Sequence, residues 1–229
     1  MPELHHHPLC PHSRFARLVL AEHGVEPELI EERVRERRRA FLALNPAGET
    51  PVLVDDGVAV CGAGVIAHYA DDLHGGALGD ARLMPVDARE RAEVRRLMDW
   101  FHHKFFGEVT SYLITEKVTR RFLSSAEGGG GPDMDLVRAA RNNIRYHLRY
   151  VGYLARSRHW LAGERLSFAD LAAAAHLSCA DFLGDVPWAE DADAKDWYAR
   201  VKSRPSFRPL LNDRVPGLSP GPAYADLDF

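Results

Sequence analysis

Apolar residues in the first third of the chain fall in short runs that alternate with helical spacings. Residues 4–7 predict a short strand, broken by Pro8, Cys10 and Pro11. Phe15, Leu18, Val19 and Glu22 then recur at helical spacing, with Gly24 placed as a stop. Residues 28–34 predict a second strand and residues 36–44 a short helix that Asn45-Pro46-Ala47-Gly48 ends. Asp55-Asp56-Gly57 lies between two valine-rich runs, 52–54 and 58–60. Asp-Gly accepts the positive φ of a tight hairpin turn, so this segment predicts a hairpin. Val65, Ile66, Tyr69, Ala70 and Leu73 form one apolar stripe of a following helix. The predicted order is β-α-β-α-β-β-α.

Gly75-Gly76 through Pro85 reads as a linker, and beyond it only helical patterns appear. Asp87 opens a long helix carrying Val94, Leu97, Met98, Phe101 and Phe105. A glycine run, 128–131, followed by Pro132 interrupts as a loop. Val137, Ala140, Ile144, Leu148 and Val151 set the next helix, whose opposite face is basic with Arg138, Arg141, Arg145 and Arg149. Ser167 with Asp170 three residues on forms a capping box, and the alanine run 172–175 suits a tightly packed central helix. From Val215 onward prolines and glycines forbid regular structure and predict an extended tail. The expected organisation is an α/β domain over 1–76, an all-helical domain over 86–212 and a tail over 213–229.

Composition narrows the function classes. Of 229 residues, 46% are hydrophobic and 27% charged, enough for a full core, and the net charge of −4 predicts no global attraction to nucleic acid. Cys10, Cys61 and Cys179 are an odd set without framework spacing, which fits a reducing compartment. No apolar signal region or bilayer-length apolar run occurs, so a soluble cytoplasmic protein is expected, with no direct membrane insertion.

Three features resemble the glutathione transferases, over the chain to about residue 212. Cys10-Pro11-His12-Ser13 stands at the strand-to-helix turn, where that family places its catalytic Ser or Cys. Asn45-Pro46-Ala47-Gly48-Glu49-Thr50-Pro51 is similar to the family segment that ends in a cis-proline, here Pro51. Residues 161–177 match the capping box and core helix of the family's helical domain. The resemblance implies a thioredoxin-like N-terminal domain and a helical C-terminal one.

A nearer resemblance is to the transferase-like cell-division proteins of alphaproteobacteria. It rests on His6-His7-Pro8, Cys61-Gly62-Ala63, Asp181-Phe182-Leu183-Gly184-Asp185-Val186-Pro187-Trp188, residues 202–211 and above all Tyr224-Ala225-Asp226-Leu227-Asp228-Phe229. It implies a homodimer that binds FtsZ filaments at the division site without needing glutathione.

In the family an acidic residue followed by Ser or Thr grips the γ-glutamyl end of glutathione, and those positions here are Gly62 and Ala63. Losing two charge-assisted hydrogen bonds costs roughly 3–6 kcal/mol, about 10² to 10⁴ in affinity. Cys10, Ser13, Thr50, Pro51, Gly62 and Ala63 are therefore expected to form a degenerate glutathione site with no catalytic residue and no cofactor. The alternative is a glutathione-dependent transferase or thiol transferase using Cys10, whose place before Pro11 at a helix start favours a thiolate.

Other constellations have plainer readings. His5-His6-His7 with His12 suggests a metal ion, but alternation along a strand sends neighbours to opposite faces, so one inward and two outward histidines are expected. His102-His103 among Phe101, Phe105 and Phe106 reads as an aromatic core or dimer seam rather than a substrate pocket. No zinc-type Cys/His spacing is present, and no metal is expected. Arg35, Arg37, Arg38 and Arg39 form a local basic run on an acidic chain and are the candidate filament-binding face, with the Arg138 to Arg149 stripe next. In the tail, Tyr224, Leu227 and Phe229 are set among acidic residues and are the expected anchors for a second division protein, the alternative being a tail folded back over its own helical domain.

Overall fold

A computed structural model describes residues 1–227. The first unit is β1 (Glu3–His6), α1 (Pro11–Glu22), β2 (Glu28–Glu31), α2 (Arg39–Leu44), β3 (Val52–Asp55), β4 (Val58–Cys61) and α3 (Ala63–His74). Its sheet runs β2-β1-β3-β4, with β1 and β2 parallel and the other pairs antiparallel. The hairpin forms where Asp-Gly placed it, with Asp56 and Gly57 both at positive φ (46° and 80°).

Two elements are shorter than their patterns predict. β2 ends at Glu31, where the Glu32 N–H makes the last bond to β1, at the His6 carbonyl (2.8 Å), and the Glu32 carboxylate is buried between His5 (Nδ1 at 3.0 Å) and the Arg38 guanidinium. Arg37 then takes a left-handed conformation (φ 44°), and α2 cannot begin until Arg39. The histidine run also departs from expectation, because both faces of β1 are covered. His5 stacks near Phe41 of α2, with ring centroids 5.7 Å apart, and His5 and His6 are both buried.

Short 3₁₀ turns over Gly75–Ala81 lead to α4 (Ala88–Asp99), capped by Asp87, whose carboxylate accepts from the Arg89 and Glu90 N–H groups. The helix continues through a π-helical stretch, Trp100–Thr110, into α5 (Ser111–Lys117). Then follow α6 (Met134–Arg158), α7 (Phe168–Phe182), α8 (Ala192–Lys202) and α9 (Arg208–Leu211). Each predicted apolar position of α4 and α6 is buried, from Val94 to Phe105 and from Val137 to Val151. The capping box holds: Ser167 Oγ accepts from Ala169 N–H, and Asp170 accepts from the Ser167 N–H at 3.0 Å. All fifteen residues of α7 are buried, which the alanine run permits because small side chains let α1 and α4 approach closely.

The apolar stripe on α3 is split between core and surface. Ile66, Ala67 and Ala70 face the core, whereas Val65 and Leu73 are more than half exposed in the single chain (59% and 56%). No helix among the described residues is long and apolar enough to cross a membrane.

The two units meet along α1 and α7. Arg14 is fully buried there, donating through Nε to the Pro8 carbonyl (2.7 Å) and through Nη1 to Ser178 Oγ (2.9 Å). Glu22 accepts a bidentate pair of hydrogen bonds from Arg204 (2.6 and 2.7 Å) and another from Ser206.

Candidate functional site

The first site is the turn from β1 into α1. Cys10 is the N-cap residue of α1 and Pro11 its first helical residue, where the missing N–H is no loss. The Cys10 thiol lies 3.9 Å from the Thr50 carbonyl, beside the cis Thr50–Pro51 bond. Burial pushes this thiol up, but hydrogen bonds from His12 and Ser13 and the charge of His12 outweigh it, leaving the Cys10 pKa lowered to about 7. Burial lowers the pKa of His12, and the pairing with Cys10 more than reverses this, so it is raised. Ser13 is buried and accepts from the His7 N–H at 3.2 Å, so its hydroxyl is partly committed to the turn.

Opposite this turn stands the start of α3. Gly62 is its N-cap at φ 95°, a conformation L side chains rarely adopt, and its N–H donates to the Pro51 carbonyl at 3.0 Å. Ala63 follows and is buried; neither residue supplies a side-chain cap or an acidic group in the first turn. What remains for a ligand's carboxylate is the backbone N–H set of the helix start.

Close to Cys10, His12 joins a cluster of rings from the helical unit. His12 stacks on His102 (centroids 5.1 Å) and meets Phe106 (4.9 Å) and His176 (5.3 Å) edge-on. His102 Nδ1 lies 3.2 Å from His176 Nε2, and His176 Nδ1 lies 3.2 Å from Thr110 Oγ1. Burial, reinforced by the charges of His12 and His103, lowers the His102 pKa to about 3 and holds His176 far below its ordinary value, where His102 contributes as well. His102 thus belongs to the seam between the two units and His103 does not: His103 is exposed and pairs with Asp99 at 2.7 Å. Sequence reading had weighed the pair as one motif. The convergence of His12, His102 and His176 from three distant segments had no local signal to reveal it.

These features are the landmarks of one family. Residues 4–78 match the family model of the glutathione S-transferase N-terminal domain and residues 132–205 that of the C-terminal domain. Across 99% of this chain and 97% of the relative, the sequence is 44% identical to FtsZ-localized protein A of Caulobacter vibrioides. The chain belongs to the glutathione S-transferase family. Solved structures agree over the whole length. A glutathione S-transferase from Sinorhizobium meliloti 1021 is 51% identical with a TM-score of 0.96, all of each chain being covered. FzlA from C. crescentus is 43% identical with a TM-score of 0.92, over 100% of this chain and 99% of that one.

On this transferase frame the arginine run is not uniform. Arg38 is spent on the buried carboxylate of Glu32 and so serves the fold. Arg35, Arg37 and Arg39 are exposed, and the first two line a groove of about 470 Å³ with Val34, Gly48, Phe122, Leu123 and Glu127. Phe122, 62% exposed, gives that basic groove an apolar wall that the sequence reading missed. The second arginine stripe is largely consumed within the chain. Arg141 and Lys117 both bond the buried Asp185 (2.8 and 2.7 Å), Arg145 bonds Glu190 (2.7 Å) and Arg138 pairs with Asp135.

The tail requires a correction. Tyr224, expected to be a free docking anchor, is 1% exposed and packed in its own helical unit. Its ring meets Phe182 edge-on (5.2 Å) and lies 5.7 Å from the Arg14 guanidinium, and its hydroxyl donates to the Leu210 carbonyl at 3.0 Å. Lys202 Nζ donates to the carbonyls of Ala223 (3.2 Å) and Asp226 (2.6 Å). Gly221 lies so close to Gly184 and the Asp181 carbonyl that an added Cβ would meet them at 2.9–3.0 Å, so only glycine permits the approach. Leu227 remains exposed, and Phe229 lies outside the described residues.

Proposed function

We propose that this chain is a non-catalytic transferase-fold homodimer that binds FtsZ filaments at the division site and supports constriction. The observation that carries this reading is the 44% identity, from end to end, with a protein named for its localisation with FtsZ. The site chemistry supports it. Gly62 and Ala63 supply no hydrogen-bonding side chain for a γ-glutamyl group, and the rings of His12, His102, Phe106 and His176 pack against one another beside Cys10. The groove walled by Arg35, Arg37 and Phe122 suits an acidic surface with apolar residues. The homodimer is assigned to the faces of α3 and α4, where Val65 and Leu73 are exposed. The tail's role in recruiting a second division protein is confined to the residues after Tyr224, with Leu227 as the described anchor.

One observation favours a second reading. The Cys10 thiol, at about 7, is substantially thiolate at neutral pH, as a glutathione-dependent thiol transferase requires. Calorimetric titration with reduced glutathione, run beside FtsZ co-sedimentation, separates the two. The scaffold reading expects co-sedimentation and no micromolar binding of glutathione. Micromolar binding with no co-sedimentation would establish the enzyme instead.

A further inference from the structure

We propose that His12, His102 and His176 form a three-histidine binding site for a divalent transition-metal ion of the zinc class, at the seam between the two units. The three side chains offer one nitrogen each, all within 4.8 Å of one another. Zinc–imidazole bonds of about 2.0–2.1 Å at tetrahedral angles put donor nitrogens about 3.4 Å apart. The His102–His176 pair, at 3.2 Å, already has that spacing. Two neutral imidazoles there hold a single hydrogen bond, whereas a metal ion would accept a lone pair from each.

The surroundings have the form of a prepared site. Thr110 Oγ1 stands at 3.2 Å from His176 Nδ1 and can accept its N–H, which fixes the tautomer that leaves Nε2 with its lone pair toward His102. His102 meets that lone pair through Nδ1, so ligation moves its proton to Nε2, which is buried with no hydrogen-bond partner in this structure. Phe15 packs edge-on against His102 at 4.7 Å and Phe105 against His176 at 5.9 Å, so the imidazoles are held by apolar walls rather than by solvent. The Trp100–Thr110 π-helical stretch supplies both His102 and Thr110, and π-helical turns recur where a helix re-aims side chains for a site. Burial keeps His102 and His176 neutral at physiological pH, so neither has to lose a proton before binding. Binding would displace the His12–Cys10 interaction, and any proton His12 holds passes to solvent.

The test uses the untagged full-length protein, stripped of metal and titrated with Co(II) as a spectroscopic probe. The result expected is one equivalent bound with the intense ligand-field bands of low-coordinate cobalt, bleached by Zn(II). His12→Gln, on the partly exposed member, should weaken binding at least tenfold while circular dichroism stays unchanged. Thr110→Val, nearly isosteric and away from the metal, should weaken it about tenfold through lost orientation of His176. The exposed neighbour variant His103→Gln should bind as the parent does. Absence of such bands at stoichiometric Co(II) would overturn the proposal, as would bands that persist unchanged in His12→Gln and Thr110→Val.

Discussion

Tyr224 shows how one side chain decides what a segment is for. The proline- and glycine-rich stretch before it cannot form a helix, yet its ring fills a slot between Phe182 and the buried Arg14, and its hydroxyl completes the Leu210 carbonyl. Removing a buried aromatic ring costs about 3–5 kcal/mol. Tyr224→Ala is therefore expected to lose that much unfolding free energy in a denaturant titration, seen as a lower midpoint. Tyr224→Phe, which loses only the hydrogen bond, should cost about 1 kcal/mol. A tail that merely hangs from the molecule would leave both variants as stable as the parent. Nothing local in the sequence marks this tyrosine as buried rather than exposed. Its partners lie far away in the chain, and alternation with acid looks the same in a docking peptide and in a strap across its own domain.

At the level of elements, patterns that close within a few residues were legible. The Asp56-Gly57 turn, the Asp87 cap and the Ser167–Asp170 box each satisfy their hydrogen bonds locally, and each stands where the sequence placed it. Patterns whose outcome depends on a distant partner were not. The burial of Glu32 at the end of β2 is one case, since its carboxylate answers to His5 across the sheet. The α1–α8 junction is a further case, since Glu22 draws Arg204 and Ser206 from the far end of the helical unit. Burial raises the Glu22 pKa, but the Arg204 and Ser206 bonds outweigh it and leave it lowered. A carboxylate whose folded pKa lies below its unfolded value contributes stability above about pH 4.3, and that contribution fades as pH falls through the folded value. Glu22→Gln should accordingly destabilise by about 2 kcal/mol near pH 7. The gap from the parent should narrow below about pH 4. A gap that stays constant down to pH 3 would assign the loss to packing alone.

At the scale of the whole molecule, two outward features bear on assembly: exposed apolar residues of α3 and the groove beside Phe122. Val65 and Leu73 on α3 face outward, which is what a helix shared with a second copy would require. Light scattering should give a dimer mass at micromolar protein, and Val65→Glu with Leu73→Glu should give a monomer that keeps its helical circular dichroism. A parent that is already monomeric would remove the shared face. The groove beside Phe122 is the other outward feature, and the Glu32 pairing separates its arginines into structural and available ones. Arg38→Glu is expected to disturb the fold, so Arg35 and Arg37, which line the groove, are the positions to reverse. The decisive measurement is co-sedimentation with FtsZ filaments, comparing the parent with Arg35→Glu/Arg37→Glu at rising salt and with millimolar glutathione. Saturable pelleting of the parent is predicted, weakened by salt and by charge reversal and indifferent to glutathione. A parent that stays in the supernatant, or pellets only when glutathione is present, would contradict the scaffold reading.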